Sequence, residues 1–368
     1  MALLVHNLAH YLVNAGNDVA VVYTHEAPGP FTAEAMPAVN YEICWARHAN
    51  ALRYIPPVAG AVAGLQKKYF FDIIHGHGPE AFLLPRLALA GRAKFIMTSH
   101  YADTWPLRPA GIFKYAPNTI PVRLIHRIET CCEIEACRKA VRVAVFSEWQ
   151  RQRIISEYKI PPVRVSAIPA VIPLGSFDCR RDEAEKNRIL FCGRLVEQKG
   201  VDVLLRAMAL MAGRGNIRGL QLDIIGDGIE RARYERLAGR LGLAQTVRFH
   251  GHLPRPQLAP FFRKANVFVL PSRSESLGLA LIEALACGVP AVASRAGAVP
   301  ELFRDKEEAV LVPANDPRLL SDALSGLLAD EGMQQALSRR GRAMVERHYE
   351  PAQNIEKLIE VYRESLTD

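Results

Sequence analysis

The chain has 368 residues, 49% of them hydrophobic and 23% charged, which is enough apolar material for two cores and an ordinary charge load for a globular protein. No apolar run reaches the ~18 residues that a membrane span needs. The net charge is +8, but no helix-turn-helix, zinc-finger or RNA-binding aromatic signature accompanies it, so nucleic acid is not an expected partner.

The chain opens on Leu3, Leu4, Leu8, Tyr11 and Leu12 at helical spacing, closed by Ala15-Gly16. This stretch has no basic lead-in and no small-residue cleavage site, so it reads as a helix rather than a secretory signal, and a cytoplasmic location is expected. A doubly wound domain normally begins with a strand and a glycine-rich turn, so a helix in first place is unusual. From there short apolar runs alternate with helical patterns. Strands are expected at 19–23, 41–45, 72–75, 94–99, 142–146 and 164–168. A second set is expected at 188–192, 220–225, 247–250, 267–270, 290–293 and 309–312. Most are continuously apolar rather than alternating, the pattern of parallel strands buried on both faces with helices as crossovers.

An α/β fold of two doubly wound, parallel-sheet, Rossmann-like domains follows. The break falls at residues 172–186, where Pro173 and Gly175 precede the charged run Arg180-Arg181-Asp182-Glu183. The domains are therefore read as 1–175 and 176–350, with a helix over 351–368 expected to cross back to the first. Ligands of such sheets bind beyond the carboxyl ends of the strands, so chemistry is expected in a cleft between the facing domains.

The positive charge is uneven. Residues 1–180 hold 19 Lys and Arg against 13 Asp and Glu, whereas residues 181–368 hold 27 against 25. An excess on the first half points to an anionic partner, such as a membrane surface or a phosphorylated acceptor, or else to a solvated basic face. The seven cysteines are odd in number and irregular in spacing, which fits a reducing compartment. Cys131, Cys132 and Cys137 fall on a helix predicted over 123–139 with no second pair of ligands, so they read as buried thiols rather than a metal site.

Two segments carry chemistry. From Phe191 to Leu205 the chain reads as strand, tight turn and helix, with Gly193 permitting close backbone approach and Arg194 and Lys199 flanking the turn. Two cations near a helix start suit a diphosphate, although either alone is an ordinary surface cation. From Pro271 to Gly288 a strand end passes through a loop into a helix. Its amides at Leu277, Gly278 and Leu279 can meet phosphate. Glu275 stands at the loop-to-helix junction and suits a sugar hydroxyl. Glu283 suits the vicinal hydroxyls of a ribose. Leu279, Ile282, Leu285 and Ala286 are expected to form the core face, with Glu283 off it.

In this order and spacing the segments resemble the retaining glycosyltransferases of the glycogen-synthase and sucrose-synthase-like group, family 4, whose fold is GT-B. The matching pieces are Gly-Arg-Leu-x3-Lys-Gly at 193–200, Ile-Ile-Gly-Asp-Gly at 224–228, Val-Arg-Phe-His-Gly at 247–251 and Glu-x7-Glu at 275–283. Ala-x-Gly-x-Pro at 286–290 and Ala-Gly-Ala-Val-Pro-Glu at 296–301 extend them. The resemblance implies a nucleotide-sugar donor (UDP-, GDP- or ADP-linked), no metal or other cofactor, and transfer with retention to a glycan, lipid-linked or small-molecule acceptor. It implies that Arg194 and Lys199 bind the donor diphosphate, that Glu283 holds the ribose, and that Glu275 contacts the transferred sugar or its phosphate. Gly193, Gly226, Gly251 and Leu253 would line the donor, with backbone near Gly251 and Leu253 against the base. His100, after the strand at 94–99, resembles the family's cleft histidine beside the donor sugar.

Signals on the acceptor side are softer. His75 and His77 share one side of a strand end without a third metal ligand. Tyr101, Asp103 and Trp105 follow His100, and Trp105 opens an aromatic–basic stretch over 105–115 that could meet an anionic or lipid-linked acceptor. The run Gln66-Lys67-Lys68-Tyr69-Phe70 could add an edge peripheral to an anionic membrane. Ser147 reads as a helix N-cap.

Two departures from the family stand out. Its Asn-Gly-Val-Asp is here Leu174-Gly175-Ser176-Phe177-Asp178, and its first strand with the Gly-Gly loop has no counterpart, so the chain is expected to be short by one strand and impaired for it. Two further classes stay open. One is a sugar-nucleotide epimerase of the same architecture, and the other a nucleotide-sugar-binding protein with impaired catalysis. A dinucleotide oxidoreductase is not expected, because Gly226-Asp227-Gly228 continues as Ile229-Glu230-Arg231 and completes no Gly-x-Gly-x-x-Gly.

Overall fold

The computed structural model describes residues 2–25, 39–45, 54–99, 120–174, 184–214 and 219–367. The chain gathers into two compact units, Met1–Ile172 with Pro351–Asp368, and Pro173–Glu350.

The first unit runs α1 (Ala2–Asn14), β1 (Val19–His25), β2 (Val39–Trp45), α2 (Ile55–Gln66), β3 (Ile73–His77), α3 (Leu84–Ala90), β4 (Lys94–Thr98), α4 (Ile120–Lys139), β5 (Arg142–Val145), α5 (Glu148–Tyr158) and β6 (Val165–Ala167). α1 stops where Gly16 takes φ +84, a backbone state that costs glycine little. α5 starts at Ser147, whose Oγ accepts from the Gln150 amide at 3.2 Å. On α4, Cys132 and Cys137 are buried, but Cys131 is exposed, so only two of the three thiols are core residues. One step is one-third of a helical turn, enough to carry a side chain from core to solvent.

The strands of this unit form two parallel sheets rather than one: β1 pairs with β2, and β3-β4-β5-β6 pair in that order. Facing edges of β1 and β3 border a slot of about 410 Å³, with α1 and α2 also lining it. The four-stranded sheet is well packed by contrast: Ile96, Met97, Val143, Val145 and Ile154 have essentially no exposed surface.

The second unit runs β7 (Arg188–Cys192), α6 (Val201–Gly213), β8 (Gln221–Ile225), α7 (Arg231–Arg240), β9 (Val247–Gly251), α8 (Ala259–Lys264), β10 (Val267–Leu270), α9 (Leu279–Ala286), β11 (Ala291–Ser294), α10 (Val299–Leu302), β12 (Val310–Val312), α11 (Pro317–Ala329) and α12 (Glu331–His348). Its six strands form one parallel sheet in the order β12-β11-β10-β7-β8-β9. Ile189, Phe191, Ile224, Val267 and Val269 fill its core. Each fully buried side chain of this size contributes about 1.5–3 kcal/mol.

The last helix, α13 (Pro351–Thr367), belongs to the first unit: Ile355, Leu358 and Val361 pack with Leu12, Ala144, Ile168 and Val171.

Candidate functional site

In the second sheet β7 has β8 on one side and β10 on the other. The chain leaves β7 toward β8 and β9, then returns to β10 and winds the opposite way, so the connections after β7 and β10 diverge. That divergence opens a crevice beyond the carboxyl ends of the two strands, the place where open α/β sheets bind ligands. Both sequence-derived segments lie there, the 193–200 turn after β7 and the 271–278 loop after β10.

Several bonds clamp turn to loop. The Arg273 amide donates to the Gln198 carbonyl at 2.7 Å, and Gln198 Nε2 donates to the Ser274 carbonyl at 3.2 Å. The Arg273 guanidinium forks onto both carboxylate oxygens of Asp202, at 2.9 and 2.8 Å. Gly200 sits at φ +66, where a Cβ would lie 2.0 Å from the Pro271 carbonyl oxygen. Only glycine lets the two segments approach this closely.

The clamp brings Lys199 onto Glu275. The Lys199 Nζ donates to both carboxylate oxygens, at 2.9 and 2.7 Å, and the side chains are 16% and 9% exposed. Glu275 is fixed from behind as well. The Ala298 amide donates to its carbonyl at 2.8 Å, and a Cβ on Gly297 would lie 2.0 Å from that same oxygen. Arg194 is exposed and enters no ion pair among the described residues.

The ends of β7, β8 and β9 are stitched in sequence. The Gly193 amide donates to the Ile225 carbonyl at 2.9 Å, and the Gly226 amide to the Gly251 carbonyl at 2.8 Å. Gly226, at φ +132, has its missing Cβ 1.9 Å from the Gly193 oxygen. Gly193, Gly226 and Gly251 thus bring the three strand ends together through backbone, with the Arg231 guanidinium 3.0 Å from where a Gly251 Cβ would lie and half-buried Leu253 following.

α9 begins at Gly278, which adopts φ +75, so the Leu277–Leu279 amides lie at its start as expected. Its packing corrects the expected core face. Residues 281–286 are all buried, Glu283 included, while Leu279 is only half buried. From Leu281 to Ala286 the helix is held among β10, β11 and α12 and has no solvent face to give up. Burial lifts the Glu283 carboxyl to about 7, against the opposing pull of Arg255, whose Nη2 lies 3.0 Å from Glu283 Oε1. Burial also pushes the Cys192 thiol to about 12, with the charge of Glu283 adding to the effect. The sequence reading missed Arg255; its signal was a lone basic residue shortly after Leu253.

In the first unit His75 is engaged on both ring nitrogens: Nδ1 is 2.6 Å from the Tyr362 hydroxyl and Nε2 is 2.7 Å from Thr98 Oγ1. His77 stacks on it with ring centroids 4.3 Å apart, and burial lowers its pKa to about 4, so it stays neutral. Among the described residues no three His, Cys, Asp or Glu side chains gather as a metal-holding group, and no helix is long and apolar enough to cross a membrane. Tyr69 and Phe70 are exposed beside Lys67 and Lys68. His100, Tyr101, Asp103 and Trp105 lie outside the described residues.

The family model for Glycosyltransferase Family 4 matches residues 1–175, and that for Glycosyl transferases group 1 matches residues 180–344. The chain belongs to the family 4, group 1 glycosyltransferases. Within the family it is 31% identical over 253 residues to a D-inositol 3-phosphate glycosyltransferase of Acidothermus cellulolyticus, covering 64% of this chain and 56% of that protein. The corresponding protein of Thermobispora bispora is 32% identical over 243 residues, covering 62% and 56%. The chain thus spans little more than half the length of these curated relatives. Among solved structures, sucrose-phosphate synthase of Thermosynechococcus elongatus superposes with a TM-score of 0.83 at 24% identity, over 98% of this chain and 92% of that one. Anabaena HepE in complex with UDP-glucose gives 0.72 at 14% identity, over 93% and 99%. These likenesses show that this glycosyltransferase-family chain has the GT-B fold.

Proposed function

We propose that the chain moves a sugar from a nucleoside-diphosphate sugar to an acceptor, with retention of anomeric configuration and without a metal. The observation that carries this reading is the meeting of Lys199 with Glu275 in the β7–β10 crevice, beside the start of α9. Breaking the anomeric bond puts negative charge on the departing diphosphate. Arg194, Lys199 and the amides at Leu277–Leu279 stabilise that charge, with Lys199 and the amides already held in place by Glu275 and the start of α9. Glu275 takes the transferred sugar or its phosphate, Glu283 the ribose, and the backbone around Gly251 and Leu253 the base. Retention is inherited from the family, and the complex of HepE with UDP-glucose agrees with the donor class. The first unit takes the acceptor. The relatives' name, D-inositol 3-phosphate glycosyltransferase, carries a phosphorylated polyol, and the positive excess over residues 1–180 suits such an anion.

A thermal-shift screen of UDP-, GDP- and ADP-glucose in excess EDTA tests the donor. One of them is expected to raise the melting temperature by roughly 5 °C at a hundred times its Kd. No shift with any, or a shift lost in EDTA and restored by Mg²⁺ or Mn²⁺, overturns the reading.

Acid should weaken donor binding through Glu283. Its carboxyl titrates at about 7 in the free protein, so below that pH a proton must leave before the carboxylate can take the ribose hydroxyls. Affinity is expected to fall by up to about ten-fold per pH unit below 7 and to level above it. In Glu283→Gln the profile flattens near the acid limb. Isothermal titration with the nucleotide sugar from pH 5.5 to 8.5 gives both curves, and a flat profile in the parent protein refutes the ribose role.

A further inference from the structure

We infer that Arg255 is a positioning residue of the donor site: its buried guanidinium fixes one oxygen of the Glu283 carboxylate and leaves the other to the ligand. This role rests on the reading of Glu283 as the residue that takes the ribose.

Arg255 stands in a short turn, Arg255–Gln257, just after Leu253. Its backbone is held on both sides. Pro254 before it is locked at φ −57, the Gln257 amide donates to the Pro254 carbonyl at 2.9 Å, and the Leu258 amide donates to the Arg255 carbonyl at 3.0 Å. The side chain is 22% exposed, yet all three of its guanidinium nitrogens are buried. The exposed part is therefore the carbon stem. A surface arginine does the opposite, laying its stem on the protein and keeping its head in water. Here the charge is turned inward, and Nη2 lies 3.0 Å from Glu283 Oε1. Glu283 Oε2 takes no partner among the described residues. A carboxylate held at one oxygen keeps a defined orientation, and the second oxygen can accept from a hydroxyl. With its nitrogens buried, Arg255 acts through Glu283 rather than on the ligand.

No other charge around Glu283 substitutes for this one. β10 and β11 carry no titratable side chain. α12 packs on α9 where Gly341 meets Leu285. Its neighbouring cations Arg339 and Arg340 are exposed, and Arg342 donates to Glu346 at 2.7 Å. At the end of β7 the Cys192 thiol is pushed up to about 12 and stays neutral, and Cys287, one turn further along α9, is a buried free thiol. Burial raises the Glu283 carboxyl to about 7 while Arg255 pulls it down. Losing the cation raises it further, so the carboxylate that the ribose needs becomes scarce at neutral pH.

The test replaces Arg255 by two neutral side chains, Arg255→Met and Arg255→Gln, and by Arg255→Lys, which keeps the charge. Carbon-13 NMR of the glutamate carboxyls in the free protein follows the Glu283 signal, identified by its absence from Glu283→Gln. The midpoint should rise by about one pH unit or more in either neutral variant and stay near that of the parent in Arg255→Lys. Calorimetric titration with UDP-, GDP- and ADP-glucose from pH 6 to 9.5 should show the acid limb of donor affinity moving with that midpoint. A move of one pH unit is worth about five-fold at pH 7, with affinities converging above the new midpoint. In a Glu283→Gln background the neutral variants should have no further effect. An unmoved midpoint overturns the inference. So does a loss of affinity that is equal at every pH, which marks a merely structural arginine, or a further loss in the Glu283→Gln background, which places Arg255 on the donor itself. If Glu283→Gln binds all three nucleotide sugars as the parent does, the ribose reading fails and takes the donor role of Arg255 with it, whatever the midpoint does.

Discussion

Lys199→Ala should lose stability and donor affinity together, whereas Arg194→Ala should lose affinity alone. The sequence treats the two cations as equivalent members of one turn. The structure separates them, because Arg194 is exposed and Lys199 is held on both oxygens of a Glu275 carboxylate that is 9% exposed. Removing the ammonium leaves that carboxylate buried and uncompensated. Breaking a buried pair costs about 3–5 kcal/mol, and the residual exposure of Lys199 places this case near the lower end. Loss of a charge-assisted contact to the diphosphate adds a separate ten- to hundred-fold drop in donor affinity. The double variant Lys199→Ala/Glu275→Ala removes both charges and should recover most of the melting temperature while binding stays weak. Thermal melting and titration calorimetry on the four proteins read the two effects apart. If Lys199→Ala melts and binds like the parent, the pair is neither structural nor part of the donor site.

The order of the elements was legible because buried parallel strands write themselves as short apolar runs between glycine and proline. All twelve described strands begin and end within two residues of the expected ranges, with β1, β2 and β3 each running two residues beyond theirs at one end. The glycine and cation spacing of the donor segment was legible for a similar reason: turns after strands demand particular residues at fixed positions, as at Gly200 and Gly278. Pairings across long sequence separations were not. Lys199 and Glu275 stand 76 residues apart, and nothing local to either says that they meet. Arg255 escaped notice because its partner, Glu283, was placed off the core by a periodicity that assumes a one-sided helix. α9 is enclosed from Leu281 to Ala286, so its polar residue is buried and needs a cation. The division of the first sheet escaped for another reason. Strand patterns report which residues are buried, not which edge lies beside which.

Gly297→Ala should do more damage than its size implies, at a residue that touches no proposed substrate. Gly297 adopts φ +59, which costs an alanine about 1–2 kcal/mol by itself. The added Cβ would also stand 2.0 Å from the Glu275 carbonyl oxygen and 2.7 Å from its amide nitrogen. Those are backbone atoms, so no rotamer change relieves the contact, and the loop must move. Forced displacement in a packed site adds about 1–3 kcal/mol. The loop that moves carries the Glu275 carboxylate away from Lys199 and disturbs the carbonyl that receives the Ala298 amide. A shift near 1 Å in a positioning residue is worth on the order of a hundred-fold in rate. The expected result is therefore a loss of roughly 2–5 kcal/mol in stability, with turnover down about a hundred-fold in the fraction that stays folded. Gly239→Ala is the matched control. It lies in α7, where a Cβ meets nothing within 4 Å, and it should be neutral or stabilising by about 0.5–1 kcal/mol. Chemical denaturation of both variants, with sugar transfer measured well below the melting transition, gives the comparison. Equal stability and activity for the two would mean that Gly297 does not fix Glu275, and the loop would have to be placed by the Arg273 and Gln198 bonds alone.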